Sequence, residues 1–157
     1  MSISSRKKWT AAVAGVLVLA TAGMASAQGS KEAEAAIKYR QAVYTVIFNN
    51  FGPMGAMASD KMPFDAARFR RHAGRVASVA AIAPDTFPEI SKDGNTRAKP
   101  EIWTNKAEFD QMMADFLNKA AALATVSRTA ASVDDVKAAF GAAAGTCKTC
   151  HDKFRVD

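Results

Sequence analysis

Apolar residues recur at intervals of three and four in four separate stretches of this chain, and no stretch alternates as a half-buried strand would. That periodicity limits the fold to packed helices. The first stretch runs through Ala33, Ile37, Arg40, Tyr44, Ile47, Phe48 and Phe51, and Gly52-Pro53 is expected to end it. Met54 to Met62, rich in Gly, Met and Ala, reads either as a helix tail or as a loop. A second helix is expected to start at Pro63 and to cover Phe64 to Ile82, with Phe69, Ala73, Val76, Ala80 and Ala83 inward. Pro84, Pro88, Gly94 and Pro100 then punctuate a long connection. A third helix is expected from about Thr104 to Arg128, with Phe109, Met112, Met113, Phe116, Ala120 and Leu123 inward and Asp115–Lys119 paired on the surface. The fourth follows Ser132 as N-cap, with Asp134 and Asp135 in its first turn. It carries Val136, Phe140, Ala143, Ala144, Cys147, His151 and Phe154 on one side. Four amphipathic helices in one domain give an all-α, antiparallel four-helix bundle. Its many Ala core positions leave it underfilled unless something large lies between the helices.

The segment ahead of these helices is of another kind. Arg6, Lys7 and Lys8 precede an uncharged, mostly apolar run from Trp9 to Met24, and Ala25-Ser26-Ala27 follows. This is the pattern of a cleaved export signal over residues 1–27, leaving a mature domain of residues 28–157 in the periplasm. The run is shorter than the ~20 residues a membrane span needs, and no later segment is long and apolar enough to span. The whole chain is formally +6, but with the three n-region bases removed the mature part holds 18 bases against 15 acids. Such a balance gives little support to nucleic-acid binding. Arg68, Arg70, Arg71 and Arg75 cluster around His72, a run that reads first as a solvated helix face and only second as a docking patch.

The two cysteines lie three apart near the chain end, in Cys147-Lys148-Thr149-Cys150-His151. A disulfide across so short a loop would contribute little and leaves His151 unexplained. A redox C-x-x-C opens a helix beside a sheet, whereas this one closes a helix in an all-helical chain. Zinc would need further ligands, yet His72 is the one other histidine and no cysteine remains. C-x-x-C-H is the attachment signature of c-type haem. Two thiols on one helical turn each reach a vinyl group, and the adjacent histidine reaches the iron. A second axial ligand would have to come from upstream, from His72 or a methionine. His72 reads as a partly exposed surface residue, Met54, Met57 and Met62 fall in the unpatterned linker, and Met112 and Met113 read as core.

These residues resemble the cytochromes c prime, class II c-type cytochromes often cited as up-down-up-down bundles. The resemblance rests on Tyr39-Arg40-Gln41, Phe51-Gly52-Pro53-Met54, Lys99-Pro100-Glu101-Ile102-Trp103, and Ala138-Ala139-Phe140-Gly141 leading into the C-x-x-C-H motif. It implies one haem c per chain, bound at Cys147 and Cys150 with His151 axial, five-coordinate and high-spin. It further implies that Arg40 and Gln41 contact the haem, that Tyr44 caps the distal pocket, and, more weakly, that Thr96 meets a propionate and Phe87 lines the pocket. The phenol of Tyr44 would act as a lid or ligate ferric iron. Arg155 matches the family's basic residue on the proximal face, and reads equally as a cation at a helix C-terminus.

Two functions follow as expectations. One is binding of nitric oxide and carbon monoxide together with periplasmic electron transfer. The alternative is a low-spin electron carrier with a protein sixth ligand and no gas-binding role. The first helix, from Ala33 to Phe51, contains no methionine, which favours an open sixth position. The chain is not expected to be an enzyme; peroxidase or nitric-oxide turnover is a third, weaker reading, because it needs a positioned distal acid or base and the evident distal candidate is Tyr44. A homodimer through the first two helices is implied by the family, and the redox partner is left open.

Overall fold

The computed structural model describes residues 14–156, with side chains from Gly29 onward. The expected export signal and its cleavage point before Gln28 fall outside the residues whose side chains are described. The elements are α1 (Ala14–Ala58), α2 (Ala66–Ala80), the short α3 (Glu101–Thr104), α4 (Lys106–Val126) and α5 (Asp134–Phe154). No helix among the described residues is long and apolar enough to cross a membrane. Each long helix packs on the next in chain order, α1 on α2, α2 on α4 and α4 on α5, and α5 closes back on α1 along the least extensive of the four contacts. That cycle is an antiparallel four-helix bundle.

α1 does not stop at Gly52-Pro53. It continues through Pro53 to Ala58. An interior proline costs about 3 kcal/mol, but the extra turn buries Met54 and Met57, at 0% and 1% exposure. Each such side chain contributes roughly 1.5–3 kcal/mol, which is enough to carry the helix past the break. Met54 and Met57 therefore belong to the core and not to a surface where a second copy could pack. The helix ends in a Schellman turn: the Lys61 amide donates to the Ala56 carbonyl at 2.9 Å and the Asp60 amide to that of Met57 at 3.3 Å. Asp60 itself takes the left-handed conformation at φ 58°.

Other boundaries also shift from expectation. α2 is capped by Asp65, whose carboxylate accepts from the Arg68 amide at 2.9 Å, so Pro63 sits ahead of the cap. The third helical stretch begins at Glu101, and Asn105, outside helical geometry at φ −119° and ψ 50°, divides it into α3 and α4. Ser132 does not cap α5. Asp135 reaches back, its carboxylate accepting from the amides of Ala131 and Ser132 at 2.9 and 2.8 Å and from the Ser132 hydroxyl. The Asp115–Lys119 pair forms as expected, at 2.8 Å.

The inward faces meet in one core. Ile47, Met54 and Met57 of α1 join Phe69, Ala73 and Val76 of α2, Phe109, Met113, Phe116 and Leu123 of α4, and Val136, Ala143 and Phe154 of α5. Phe48, expected on the inward face of α1, is 74% exposed. It lies one residue round the helix from buried Ile47, at the edge of the cavity described below. The connection from Pro84 to Pro100 holds two short 3-10 turns, Pro84–Thr86 and Glu89–Ser91, and then runs antiparallel to the chain end. Ala98 bridges Arg155, the Lys99 amide donates to the Phe154 carbonyl, and the Val156 amide to that of Arg97, both at 2.9 Å.

Candidate haem site

Cys147, Cys150 and His151 stand three and four residues apart in the last turns of α5, so all three face one side of it. That side looks into a cavity of about 700 Å³, whose remaining walls come from α1, α3, α4 and the 84–98 connection. Close-packed interiors leave few voids larger than a water molecule, so a space of this size between helices is a binding site. Both cysteines are free thiols and half-buried. Burial is the main cause holding both thiols above their usual range. His151 is pushed down by burial first, then by the Arg155 and Arg97 guanidinium groups, against a weaker opposing pull from Asp152. Its imidazole is therefore neutral, the form that ligates a metal.

The α1 wall carries Arg40, Gln41, Tyr44 and Phe51. Burial is the main cause of a Tyr44 phenol pKa well above the ordinary tyrosine range; Cys150 and Cys147 add to the shift and Arg40 opposes it. The burial contribution outlasts conversion of the thiols to thioethers, so the protein around Tyr44 favours the protonated phenol. Its ring meets Phe87 edge-on at 6.1 Å, and Phe87 meets Phe109 at 4.8 Å. Phe87 thus lines the pocket by supporting the Tyr44 ring.

Arg40 is buried, and its guanidinium serves as a tie between α1 and the connection. One terminal nitrogen donates to the Thr86 carbonyl at 3.2 Å and the Ser91 hydroxyl at 2.7 Å. The other donates to the Ser91 carbonyl at 3.1 Å and the Thr96 hydroxyl at 2.8 Å. The same group lies 4.9 Å above the Phe87 ring. Thr96 Oγ1 also accepts from the Ala98 amide, and Gln41 donates to the Asn95 carbonyl, both at 3.1 Å. Arg40, Gln41, Thr96, Arg97 and Arg155 all line the cavity, and their bonds to one another's segments gather them at one end of it.

Phe109, Met112, Met113 and Phe116 complete the wall from α4. The sequence places them inward but gives no sign that they face a cavity, since core and cavity wall share one periodicity. Ile102 and Arg97 are also in the wall and were not singled out. Arg97 is recognisable only once the chain end is seen lying beside it. His72 is not in the wall: it is half-buried between α2 and α1, Nδ1 2.9 Å from Asn50 Oδ1.

The wall fits a flat, largely apolar group with an acidic edge. Aromatic and aliphatic side chains form its sides, cations collect at one end, and two thiols and a neutral imidazole project from one helix. One atom is unexplained by the protein alone: Arg155 Nε is buried within this wall without a hydrogen-bond partner. An unpaired donor of that kind is costly and is expected where a ligand or bound water completes the site.

Comparison with known proteins agrees with this geometry. Residues 35–155 match the family model described as Cytochrome C′. The cytochrome c′ of Rubrivivax gelatinosus is 36% identical over 121 residues, covering 76% of this chain and 93% of that protein. The structure of cytochrome c prime from Shewanella frigidimarina superposes with a TM-score of 0.76 at 42% identity, covering 80% of this chain and 97% of that one. A nitric oxide complex of a variant cytochrome c prime from Alcaligenes xylosoxidans superposes at 0.73 with 30% identity, covering 80% and 97%. The chain belongs to the cytochrome c′ family, and its cofactor is a covalently bound haem c.

Proposed function

We propose that this chain is an exported, periplasmic monohaem cytochrome that binds nitric oxide and carbon monoxide at an open iron position and takes part in one-electron transfer. In this reading Cys147 and Cys150 form the thioethers, His151 is the axial ligand, and Arg40, Gln41, Thr96, Arg97 and Arg155 hold the acidic edge. When bound, the haem supplies an iron that changes charge by one electron and accepts a diatomic gas. The protein's part is to hold that iron from one side and to keep the other free of a ligand of its own.

One observation carries the reading. The α1 wall, facing α5 across the cavity, presents Tyr44, while Met54 and Met57 of α1 turn into the core. A protonated phenol is a poor iron ligand and a good hydrogen-bond donor to a bound gas. That a relative from Alcaligenes xylosoxidans forms a nitric oxide complex adds support. Enzymatic turnover is not part of this proposal. Pairing of two copies through α1 and α2 is, drawing on the exposed Tyr39 and Val46 of α1.

The ferrous absorption spectrum, taken before and after addition of carbon monoxide and nitric oxide, tests the proposal. A high-spin spectrum that both gases change is expected. A second reading draws on Met112 and Met113, whose thioethers line the same cavity from α4. If either ligates iron, the ferrous protein is low-spin, ignores carbon monoxide, and becomes high-spin on Met112→Leu or Met113→Leu. That outcome would replace gas binding by electron transfer alone.

A further inference from the structure

Phe48 of α1 borders the haem cavity from the solvent side. It is 74% exposed, more than any other large apolar residue described, and yet it lines the cavity. Tyr44 stands four residues before it and Phe51 three after, both in the same wall, so the three share one side of the helix. The neighbours of Phe48 at this rim are held in place. Gln41 donates to the Asn95 carbonyl at 3.1 Å and Thr45 to the Gln41 carbonyl at 2.7 Å. Tyr44 is braced by Phe87 and Phe51 by Phe140, at 6.1 and 5.7 Å between ring centroids. Among the described residues no ring pairs with Phe48. The opposite lip is low. Phe140 of α5 meets α1 and Cys147 enters the cavity; Ala144, four after the one and three before the other, faces α1 between them with a single methyl group.

We propose that Phe48 is the outer gate of the haem cavity: with the haem in place its ring swings in from solvent across the mouth, and ligands reach the iron only past it. This deepens the gas-binding proposal and rests on its open iron position. The motion needs no change of backbone. α1 is held on one side of Phe48 by the Arg40 tie and on the other by buried Met54 and Met57. Only the side-chain torsions of Phe48 turn, which in an exposed residue takes nanoseconds or less. Burial drives the closure, since the apolar area removed from water outweighs the torsional freedom lost. The closed ring offers a passing ligand neither a charge nor a hydrogen bond, so an anion must shed its water to enter. The gate therefore favours nitric oxide and carbon monoxide over azide and cyanide. Its task differs from that of Tyr44, which directs a proton at the bound gas. Pairing of two copies leaves the gate free, because Val46 and Tyr39 stand about 200° and 180° round the helix from Phe48.

The test compares the haem-loaded, processed protein with its F48A and F48L variants. A gate that does not touch the bound ligand changes both rate constants alike and leaves the affinity as it was. Flash photolysis and ligand replacement on the ferrous protein should show carbon monoxide entering and leaving F48A about tenfold faster than the parent, the factor that loss of a buried ring implies. F48L should lie between the two. Ferric F48A should gain more in its rates with azide and cyanide than the ferrous variant gains with carbon monoxide. A second readout does not need an open iron. In the diamagnetic ferrous protein the Phe48 ring resonances, identified by their loss in F48L, should carry the shifts that a nearby porphyrin ring current imposes. Helical circular dichroism verifies that the variants are folded. Unchanged carbon monoxide rates in F48A would overturn the gate, as would unshifted Phe48 resonances. A changed affinity at an unchanged association rate would make Phe48 a contact of the ligand and overturn it too. If the parent ignores carbon monoxide, the open-iron reading fails, and the ring shifts alone decide whether Phe48 closes the mouth.

Discussion

Tyr44 and Arg40 stand one helical turn apart on α1 and divide two tasks between them. Tyr44 faces the cavity with its proton held by burial, so Tyr44→Phe should keep the lid and remove one hydrogen-bond donor. Bound carbon monoxide should then dissociate roughly fivefold faster, the equivalent of a ~1 kcal/mol hydrogen bond. Laser photolysis and ligand replacement measure this, and unchanged rates would remove the phenol from the gas site. Arg40 was read from the sequence as a haem contact, and it lines the cavity, but its four hydrogen bonds to Thr86, Ser91 and Thr96 were not legible. Those partners lie 46 to 56 residues away, beyond any local pattern. Arg40→Lys keeps the charge and cannot span all four acceptors. It should lower stability by about 3 kcal/mol, read as a lower urea midpoint at unchanged slope.

At the scale of the element, local rules predicted which helices exist and misplaced where they end. Pro53 is a legitimate stop signal by its chemistry, and burial of Met54 and Met57 overrode it. Such tertiary compensation cannot be seen in a window of neighbours. Ser132 shows the converse: Ser followed by two acids is an N-cap pattern, yet Asp135 became the acceptor and Ser132 the donor. The three bonds hold the Asp135 carboxyl below the usual carboxylate range, backbone bonds from Ser132 and Ala131 leading. A group whose folded-state pKa is depressed stabilises the fold above its unfolded value, here near 3.8, and loses that contribution as pH falls through the folded value. Asp135→Asn should therefore melt at lower temperature than the parent at neutral pH. The two melting curves should converge in acid, and a difference that persists below the carboxylate range would mean that the turn depends on shape alone.

At the scale of the whole molecule, the haem is a structural part of the bundle. The C-x-x-C-H motif was fully legible in the sequence, and the Ala-rich helices hinted at a space; what they could not give was its extent or its α4 wall. The cavity of about 700 Å³ lies where α1 and α5 make the least extensive contact of the four. The cavity is open at its mouth, and water entering there supplies none of the apolar contacts that Ile47, Phe51, Phe109, Met113 and Phe154 need. A chain that cannot hold its haem should therefore not keep the α1–α5 side closed. In the double variant C147S/C150S, covalent haem staining on a denaturing gel should vanish. Hydrogen exchange should then rise first in α1 from Ile37 to Phe51 and in α5 from Ala143 to Phe154, while the α2–α4 contact, which does not border the cavity through α2, stays protected longest. Uniform loss of protection would mean that the bundle folds as one unit with its cofactor, whereas full protection without haem would mean that the four helices can close round the space unaided.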